Sequence, residues 1–419
     1  MSGSALPNGW AVQELDSLRA EGEYTFVGGP FGSDLTSKDY VQEPGIPVIR
    51  GTNLGGNESR FIDDGFVYVS ARKADALRRN MAFPGDVVFT QRGTLGQVAV
   101  IPKGARFDRY VISQSQMKLS PDPAKIESRF LYYYFRSPRI LDQLLRQTQA
   151  TGVPHINLGI LKRFPVVVPP LPEQRRIAEV LDRAEALRAK RRAALAQLDT
   201  LTQSIFLDLF GDPVVNPKGW KRVPFKDLLT NIDSGWSPTC LDRTVEGDEW
   251  GVLKLGAVTW CEYDPAENKA LPPDVSPRPE LEVQPGDLLF ARKNTYDLVA
   301  ACALVRTTPP RLMMSDLIFR LRLRADANVD SCFLHRLLIH PRKRREIQKF
   351  AGGTAGSMPN ISKGRLETTP IEIPPIDLQR QFASEIAAVD KLKSAHRASL
   401  AKLDALFASL QHRAFRGTL

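Results

Sequence analysis

The sequence predicts an α+β protein built twice: two mixed α/β domains separated by two long antiparallel coiled-coil helices, with an internal pseudo-two-fold repeat. The segment Pro165–Arg175 reappears about 205 positions later as Pro370–Arg380, with a Pro-Pro pair followed by Gln-Arg in both copies. Each copy runs into a long Ala/Leu-rich, charged segment that ends near a phenylalanine, Phe210 or Phe415. Repetition of a whole unit in this order predicts one scaffold made from two related halves.

Further matches between the halves follow the same order along the chain. Pro84-Gly85-Asp86 corresponds to Pro285-Gly286-Asp287, and the segment 152–156 corresponds to 357–361. The offset between matched positions varies by a few residues, which is typical of loops that have gained and lost residues around a kept framework. The sequence therefore predicts four segments: domains at 1–168 and 212–373, and helices at 169–211 and 374–419.

Short apolar runs bounded by turn residues predict strands in each globular part. The predicted strands are Val48-Ile49, Val87–Phe89, Val98–Ile101 and Val166–Val168 in the first half, and Val252-Leu253, Leu288–Phe290, Leu298–Leu304 and Leu317–Phe319 in the second. One helix is predicted in each half, over Glu127–Gln147 and over Ser331–Lys349. Each globular part is therefore mixed.

The two long segments show apolar residues at alternating spacings of three and four, which is typical of a coiled-coil seam. The predicted seam residues are Leu181, Leu187, Leu195, Leu198, Ile205, Leu392, Leu400, Leu403 and Leu410. About 35 residues at ~1.5 Å each give a rod of roughly 50 Å, too long for one small domain to cover. We expect the two rods to pack antiparallel and to hold the globular parts apart; two unrelated surface helices are the alternative.

Composition and charge restrict the class of protein. The formal net charge is +10 and the isoelectric point about 9.4, a balance that mildly favours a polyanionic partner. All four cysteines lie in the second half without a Cys-x-x-Cys pair, which predicts free thiols. No apolar run approaches the length of a membrane span, and the first residues do not resemble a signal peptide, so a cytoplasmic location is expected.

Motifs for catalysis are missing from the sequence. No P-loop, nucleophile elbow or Asn/Asp-Pro-Pro-Tyr methyltransferase motif is present. Glu267-Asn268-Lys269 loosely fits a metal-dependent nuclease pattern, but the first half lacks it, and Gly28–Gly32 favours a turn over a phosphate-binding loop. We therefore predict no catalytic residues, no metal site and no cofactor bound by this chain.

A repeated protein suits a two-part ligand, and DNA is the commonest one. Arg, Asn, Gln and Lys side chains have the geometry to contact base edges, whereas Ser and Thr suit phosphates. The candidate DNA-binding residues, in matched loops, are Arg50, Thr52, Asn53, Gln91, Arg92, Thr94, His155 and Asn157 in the first half, and Lys254, Arg292, Lys293, Asn294, Thr295, Asn360, Ser362 and Lys363 in the second. The alternative for each is a solvated loop side chain. The basic runs Arg188–Arg192 and Arg342–Arg345 favour exposed helix faces or phosphate contacts.

The segments Pro169–Ile177 and Pro374–Gln381, each opening a long helix after a globular half, resemble the specificity subunit of type I restriction-modification systems over the whole chain. The second segment departs from the first, with Asp377-Leu378 in place of Pro172-Glu173. The resemblance implies two target-recognition domains that bind a bipartite double-stranded DNA site, each followed by a spacer helix.

The same resemblance implies the partners of the chain. Two methyltransferase subunits and restriction subunits would assemble on it, and S-adenosylmethionine, ATP and Mg would belong to those partners. Individual base contacts do not carry over from the family, because its recognition domains vary. A stand-alone sequence-specific DNA-binding protein and, less favoured, a nuclease are the alternatives. If the rods set the spacing, inserting about four residues into one rod adds roughly 6 Å and should lengthen the gap of the target by about two base pairs.

Overall fold

The structure is a computed structural model that describes residues 6–42, 45–56, 60–147, 155–352 and 358–419. The chain forms two compact units: Met1–Ala194 together with His396–Leu419, and Leu195–Ala395. We call them unit 1 and unit 2. The four predicted segments remain a division by sequence, because each compact unit takes part of both long helices. Of the repeat noted above, residues 152–154 and 357 lie outside the described residues.

Unit 1 contains two main sheets and a short strand pair. Its strands are β1 Ala11–Glu14, β2 Phe26–Gly28, β3 Tyr40–Val41, β4 Ile46–Ile49, β5 Val67–Val69, β6 Met81–Ala82, β7 Val87–Thr90, β8 Val98–Val100, β9 Tyr110–Ile112, β10 Gln116–Leu119 and β11 Pro165–Val168. Its helices are α1 Ala71–Ala76, α2 Ser128–Phe135, α3 Pro138–Leu145, α4 Leu158–Lys162 and the first part of α5 Leu171–Phe210. The sheet orders are β2-β10-β7-β8, β3-β5-β4-β9-β6 and β1-β11.

Unit 2 repeats this connectivity. Its strands are β12 Lys221–Pro224, β13 Leu229–Ser234, β14 Gly251–Leu253, β15 Asn268–Ala270, β16 Leu288–Ala291, β17 Cys302–Leu304, β18 Leu312–Met313, β19 Ile318–Leu323 and β20 Pro370–Ile373. Its helices are α6 Gly256–Thr259, α7 Ser331–Ile339, α8 Pro341–Gln348, α9 Lys363–Glu367 and the first part of α10 Ile376–Ala414. The sheet order β13-β19-β16-β17 matches β2-β10-β7-β8 strand for strand, and the parallel pair β14-β18 matches β4-β9. The predicted repeat of mixed α/β halves is confirmed.

The glutamine of the repeated motif ties each long helix to its globular part. Gln174 is buried; its amide nitrogen donates to the carbonyls of Lys125 (3.0 Å) and Pro169 (2.8 Å), and its oxygen accepts from the Glu127 N–H (2.8 Å). Gln379 makes the same three bonds in unit 2, to Asn328, Pro374 and Asp330. The motif therefore fixes where the helix leaves the domain, because the same side chain bonds to both.

Three predicted elements differ from the structure. The helices predicted over 127–147 and 331–349 are each two helices, which divide at Pro138 and Pro341, the first residues of α3 and α8. Proline lacks an N–H and clashes with the preceding turn, so it begins a helix rather than continuing one. The strand predicted over 298–304 begins only at Cys302, because Leu298 and Val299 turn back to bond the carbonyl of Thr295.

The long helices pack antiparallel within each unit. In unit 1, Arg188 on α5 contacts Asp404 on α10 (2.6 Å), and Arg191, further along α5, contacts His396, earlier on α10 (3.1 Å). In unit 2, Lys393 contacts Asp199 (2.6 Å), while Phe382 packs against Phe206 and Phe210. The residue numbers rise along one helix as they fall along the other, as predicted.

The predicted seam is wrong at Leu187 and Leu392, which are 50% and 52% exposed. The next residue along takes the inner position in each case: Arg188 lies over the ring of Phe407, and Lys393 is buried against Thr202. Leu181 is buried as predicted. The half-buried seam residues are Leu195, Leu198, Ile205, Leu400, Leu403 and Leu410. Throughout the described ranges, every helix is too short or too polar to cross a membrane.

Candidate nucleic-acid interface

In unit 1 the predicted loop at residues 91–94 meets the predicted loop at residues 155–157. Arg92, after β7, forms an isolated antiparallel bridge with His155, and the Ile156 N–H donates to the Gln91 carbonyl (3.1 Å). The Gln91 N–H in turn donates to Ser115 (2.7 Å). Arg92 and Thr94 are exposed, whereas Gln91 and His155 are half-buried. The backbone thus presents candidates from two distant stretches of sequence as one short surface.

Unit 2 makes the same junction with different side chains. Lys293 and Asn360 form an isolated antiparallel backbone bridge, and the Ile361 N–H donates to the Arg292 carbonyl (2.8 Å). The Arg292 Nε donates to the Asn360 side-chain oxygen (3.0 Å), and its guanidinium lies 4.9 Å from the centre of the Phe319 ring. Lys363 approaches the same ring at 5.7 Å. Equivalent positions therefore carry Arg and His in unit 1, but Lys and Asn in unit 2.

The loop at residues 50–53 of unit 1 lies beside two donors that lack an acceptor among the described residues. Arg50 donates through one guanidinium nitrogen to the Gly65 carbonyl (3.2 Å), while its buried Nε finds no acceptor among the described residues. The buried Gln116 Nε2, close to Gly51, also lacks an acceptor within the described part of the chain. Thr52 is exposed. Buried donors without partners are costly, so this loop holds both polar groups at a cost to folding stability.

Two asparagines predicted to contact bases are structural instead. Asn53 is buried; its oxygen accepts from the Arg50 N–H (3.0 Å) and its nitrogen donates to the carbonyls of Ile62 (3.1 Å) and Asp64 (2.9 Å). Asn294 is buried as well, where it donates to the Thr259 hydroxyl (3.3 Å) and accepts from the Thr295 N–H (2.8 Å). Both amides are consumed in shaping their loops, which corrects their predicted role.

Other candidates are partly engaged. Asn157 accepts from the Ile160 N–H (2.8 Å) as the N-cap of α4, and Ser362 is the N-cap of α9. Lys254 pairs with Glu267 (3.0 Å) at a half-exposed position. Thr295 is exposed. The Glu267-Asn268 pair of the loose nuclease pattern is also committed, because the Asn268 side chain is buried and bonded to Pro265 and Val245.

The basic run on α8 is exposed at Arg342 and Arg345, as predicted, but not at Lys343. Lys343 is buried between both carboxylate oxygens of Glu372 (2.8 and 3.0 Å) and the Pro370 carbonyl (2.6 Å). Arg344 donates to the Leu298 carbonyl (2.8 Å), and Arg342 pairs with Asp212 (2.7 Å). These contacts hold α8 to its neighbours, and Arg342 and Arg345 are the exposed cations of the run.

Sequence reasoning missed several exposed aromatic side chains. Phe31, in the loop after β2, is exposed at the edge of a groove of about 660 Å³ that Lys73, Arg79 and Lys162 also line. In unit 2, Trp260 and Tyr296 are exposed on the loops that Asn294 joins. The sequence pattern that could have identified them is an aromatic residue in a turn, flanked by glycine or polar residues, because a side chain at such a position is not expected to be buried.

Comparisons with known proteins show which proteins this chain resembles. A family model described as the type I restriction modification DNA specificity domain matches residues 32–197. The EcoEI specificity subunit of Escherichia coli is 35% identical over 187 residues, spanning 43% of this chain and 31% of that relative. The EcoKI specificity subunit of E. coli strain K12 is 22% identical, spanning 100% of this chain and 91% of the relative.

Residues 32–197 therefore match the DNA specificity domain of type I restriction-modification systems, and the whole chain is similar to specificity subunits of such systems. Two solved structures support the fold. The type I system S subunit of M. genitalium matches with a TM-score of 0.58 at 14% identity, over 98% of both chains. A chain from a structural study of complex assembly and conformational transition of the type I R-M system matches with a TM-score of 0.54 at 19% identity, over 100% of both chains. The family model and the curated relatives confirm the resemblance drawn from Pro169–Ile177 and Pro374–Gln381.

Proposed function

We propose that this specificity subunit binds a bipartite double-stranded DNA target, one half-site for each unit. The observation that supports the proposal is the repeated junction of loops, Arg92 with His155 and Lys293 with Asn360. The backbone connection is the same and the side chains differ, as two readers of different short sequences require.

Exposed and half-exposed side chains at each junction have distinct tasks. Arg92 and Lys293 donate to guanine edges or to phosphates, and the fixed Arg292 is presented in one orientation by Asn360 and the Phe319 ring. The exposed hydroxyls of Thr94 and Thr295 suit phosphate oxygens. Arg50, half-buried and bonded to the Gly65 carbonyl, adds a fixed cation on the loop after β4.

The outer faces of the long helices are proposed to hold the catalytic partners. Outward leucines remain in each unit: Leu187 and Leu406 in unit 1, and Leu201, Leu207 and Leu392 in unit 2. Exposed leucines on a helix can be buried against a helix of another chain. We propose two methyltransferase subunits as the occupants, with restriction subunits joining them. S-adenosylmethionine, ATP and Mg would act within those partners, and this chain would contribute no catalytic residue.

The proposal is tested by mapping methylated adenines in cells that express this chain with its methyltransferase subunits. The wild type is expected to give one split motif. The double change Arg92→Ala with His155→Ala should degrade one half of the motif and leave the other intact, because only unit 1 is altered. Lys103→Ala, also an exposed cation of unit 1, is the matched control and should keep both halves. Equal loss of both halves, or no loss, would contradict the assignment of one half-site to each unit.

A further inference from the structure

Two large aromatic side chains of unit 2 lie in solvent on loops that are joined. Trp260 is 76% exposed and follows α6 directly, and Tyr296 is 58% exposed and follows β16. The buried hydrogen bond from Asn294 to the Thr259 hydroxyl connects the residue before Trp260 with the segment that carries Tyr296. The fold therefore brings both rings to neighbouring loops on the surface where Arg292 and Lys293 lie.

These loops are fixed from behind by buried polar groups. The ring of His335 lies with Nε2 3.2 Å from the carbonyl oxygen of Cys261 and 3.1 Å from that of Cys302. Arg344 contacts the Cys261 sulfur (3.6 Å) at one end and donates to the Leu298 carbonyl (2.8 Å) at the other. The same arginine thus contacts a residue on the carboxyl side of each aromatic residue, the Cys261 side chain and the Leu298 backbone.

Exposed rings on immobilised loops are suited to binding. A loop that is already ordered loses little conformational entropy when a ligand arrives. Tryptophan and tyrosine side chains are enriched at interaction sites, since each joins a large apolar ring to a polar group. Because His335 of α7 and Arg344 of α8 hold these loops in place, we interpret the two rings as contact groups.

The pair is specific to unit 2. Matching Thr94 with Thr295 places Leu95 opposite Tyr296, and Leu95 packs partly buried against the core of unit 1. Matching Arg50 with Lys254 places Gly56 opposite Trp260. A feature found in one recognition unit and not at the matching positions of the other belongs to target specificity rather than to the shared scaffold.

The chemistry of the neighbourhood favours bases over the phosphate backbone as the partner. Asp297, next to Tyr296, is exposed and would repel phosphates. Aromatic rings stack on the faces of bases irrespective of charge, and apolar side chains inserted at a base step unstack it. Pyrimidine–purine steps unstack most easily.

We propose that Trp260 and Tyr296 form an aromatic wedge that contacts base faces in the half-site of unit 2 and opens a pyrimidine–purine step there. This inference rests on the proposed function, since it takes DNA as the ligand. It adds a form of recognition that depends on how easily the DNA deforms, beside the hydrogen bonds offered by Arg292 and Lys293. The wedge acts only on the half-site that unit 2 binds.

The first test uses tryptophan emission in the complex with methyltransferase subunits, titrated with a duplex that carries the methylated motif. Stacking on bases is expected to quench part of the wild-type emission. Trp260→Phe should lose most of that quench when DNA is saturating, as fluorescence anisotropy of the labelled duplex verifies. Trp10→Phe, a partly buried tryptophan of unit 1, is the matched control and should keep the quench. A quench that persists in Trp260→Phe would overturn the wedge.

The second test places 2-aminopurine at each position of the unit 2 half-site. The fluorescence of 2-aminopurine should rise at one base step when the wild-type complex binds. In the double variant Trp260→Ala with Tyr296→Ala this rise should vanish, and the affinity for the duplex should fall at least tenfold. Val215→Ala, which removes another exposed apolar side chain of unit 2 (60%), should change neither. Unaltered affinity and fluorescence in the double variant would refute the inference alone. A wild-type complex that binds the motif no better than random duplex would refute the proposed function, and the wedge with it.

Discussion

At the residue scale, buried polar side chains decide which candidates remain available to a ligand. Asn53 and Asn294 have the chemistry to contact adenine, yet both are enclosed by carbonyls or hydroxyls of other segments. Their partners Ile62, Asp64 and Thr259 lie 9 to 35 positions away in sequence. No local pattern reveals such contacts, so the sequence identified the loops but not which of their amides point inward.

The pH dependence of stability should report on His335, which anchors the Trp260 loop. Burial lowers the pKa of this imidazole to about 4. The unfolded chain, with a pKa near ~6.5, then binds more protons than the folded one between those values. Stability contributed by neutral His335 is therefore complete above about pH 6.5 and declines as the pH falls toward 4.

The measurement is urea unfolding at pH 7.5 and at pH 5.0. The urea concentration at the midpoint of unfolding should be lower at pH 5.0 than at pH 7.5. The decrease should be smaller in His335→Gln, because this variant lacks the titrating group. Carboxylates titrate equally in both proteins, so the difference isolates the histidine. An identical fall in the variant would contradict the account.

At the element scale, strand positions could be predicted and helix ends could not. Apolar runs at Val87–Phe89 and Leu288–Phe290 lie within β7 and β16 as expected. The helices at 127–147 and 331–349 kept an apolar pattern across Pro138 and Pro341, which concealed the break. In the long helices, the pattern of leucines identified the coiled coil but misplaced its inner face. Arg188 and Lys393 lie at inner positions, where Arg188 covers the Phe407 ring and Lys393 is buried against Thr202.

The repeated glutamines make a prediction about how the long helices begin. Gln174→Ala should leave one N–H and two carbonyls unpaired in unit 1, and Gln379→Ala should do the same in unit 2. We expect each to lower the free energy of unfolding by about 3 kcal/mol, since unpaired buried groups cost ~1–3 kcal/mol each and neighbours relax. Urea unfolding monitored by circular dichroism measures the loss.

The control for this pair is Arg380→Ala, which alters the exposed neighbour of Gln379 and should change the free energy of unfolding by less than about 0.5 kcal/mol. Hydrogen exchange should locate the effect of each glutamine change in its own unit. A glutamine variant as stable as the arginine variant would show that the motif does not fasten helix to domain.

At the scale of the whole molecule, duplication could be predicted from sequence, while the differences between the copies could not. The four-stranded sheets have the same strand order in both units, whereas the second sheet has five strands in unit 1 and three in unit 2. The segments that build this second sheet align poorly, so its size depends on loops without a repeated pattern. Of the exposed aromatic pair of unit 2, Trp260 lies in this divergent region between β14 and β15, whereas Tyr296 lies between β16 and β17 of the shared sheet.

Both long helices change units part-way along, α5 after Ala194 and α10 after Ala395. Because the helices pair within each unit, a change in length at these two points alters the spacer without touching either set of recognition loops. We therefore expect the half-site sequences and the length of the gap between them to respond to different changes in the chain.

The most direct measurement is the methylated motif produced when one helical turn, four residues, is inserted after Ala194 and after Ala395 together. One turn adds roughly 6 Å. The account predicts that both half-sites keep their sequences while the gap between them lengthens by about two base pairs. A motif whose gap is unchanged, or whose half-sites change, would contradict the claim that two separate units read DNA at a spacing set by the helices.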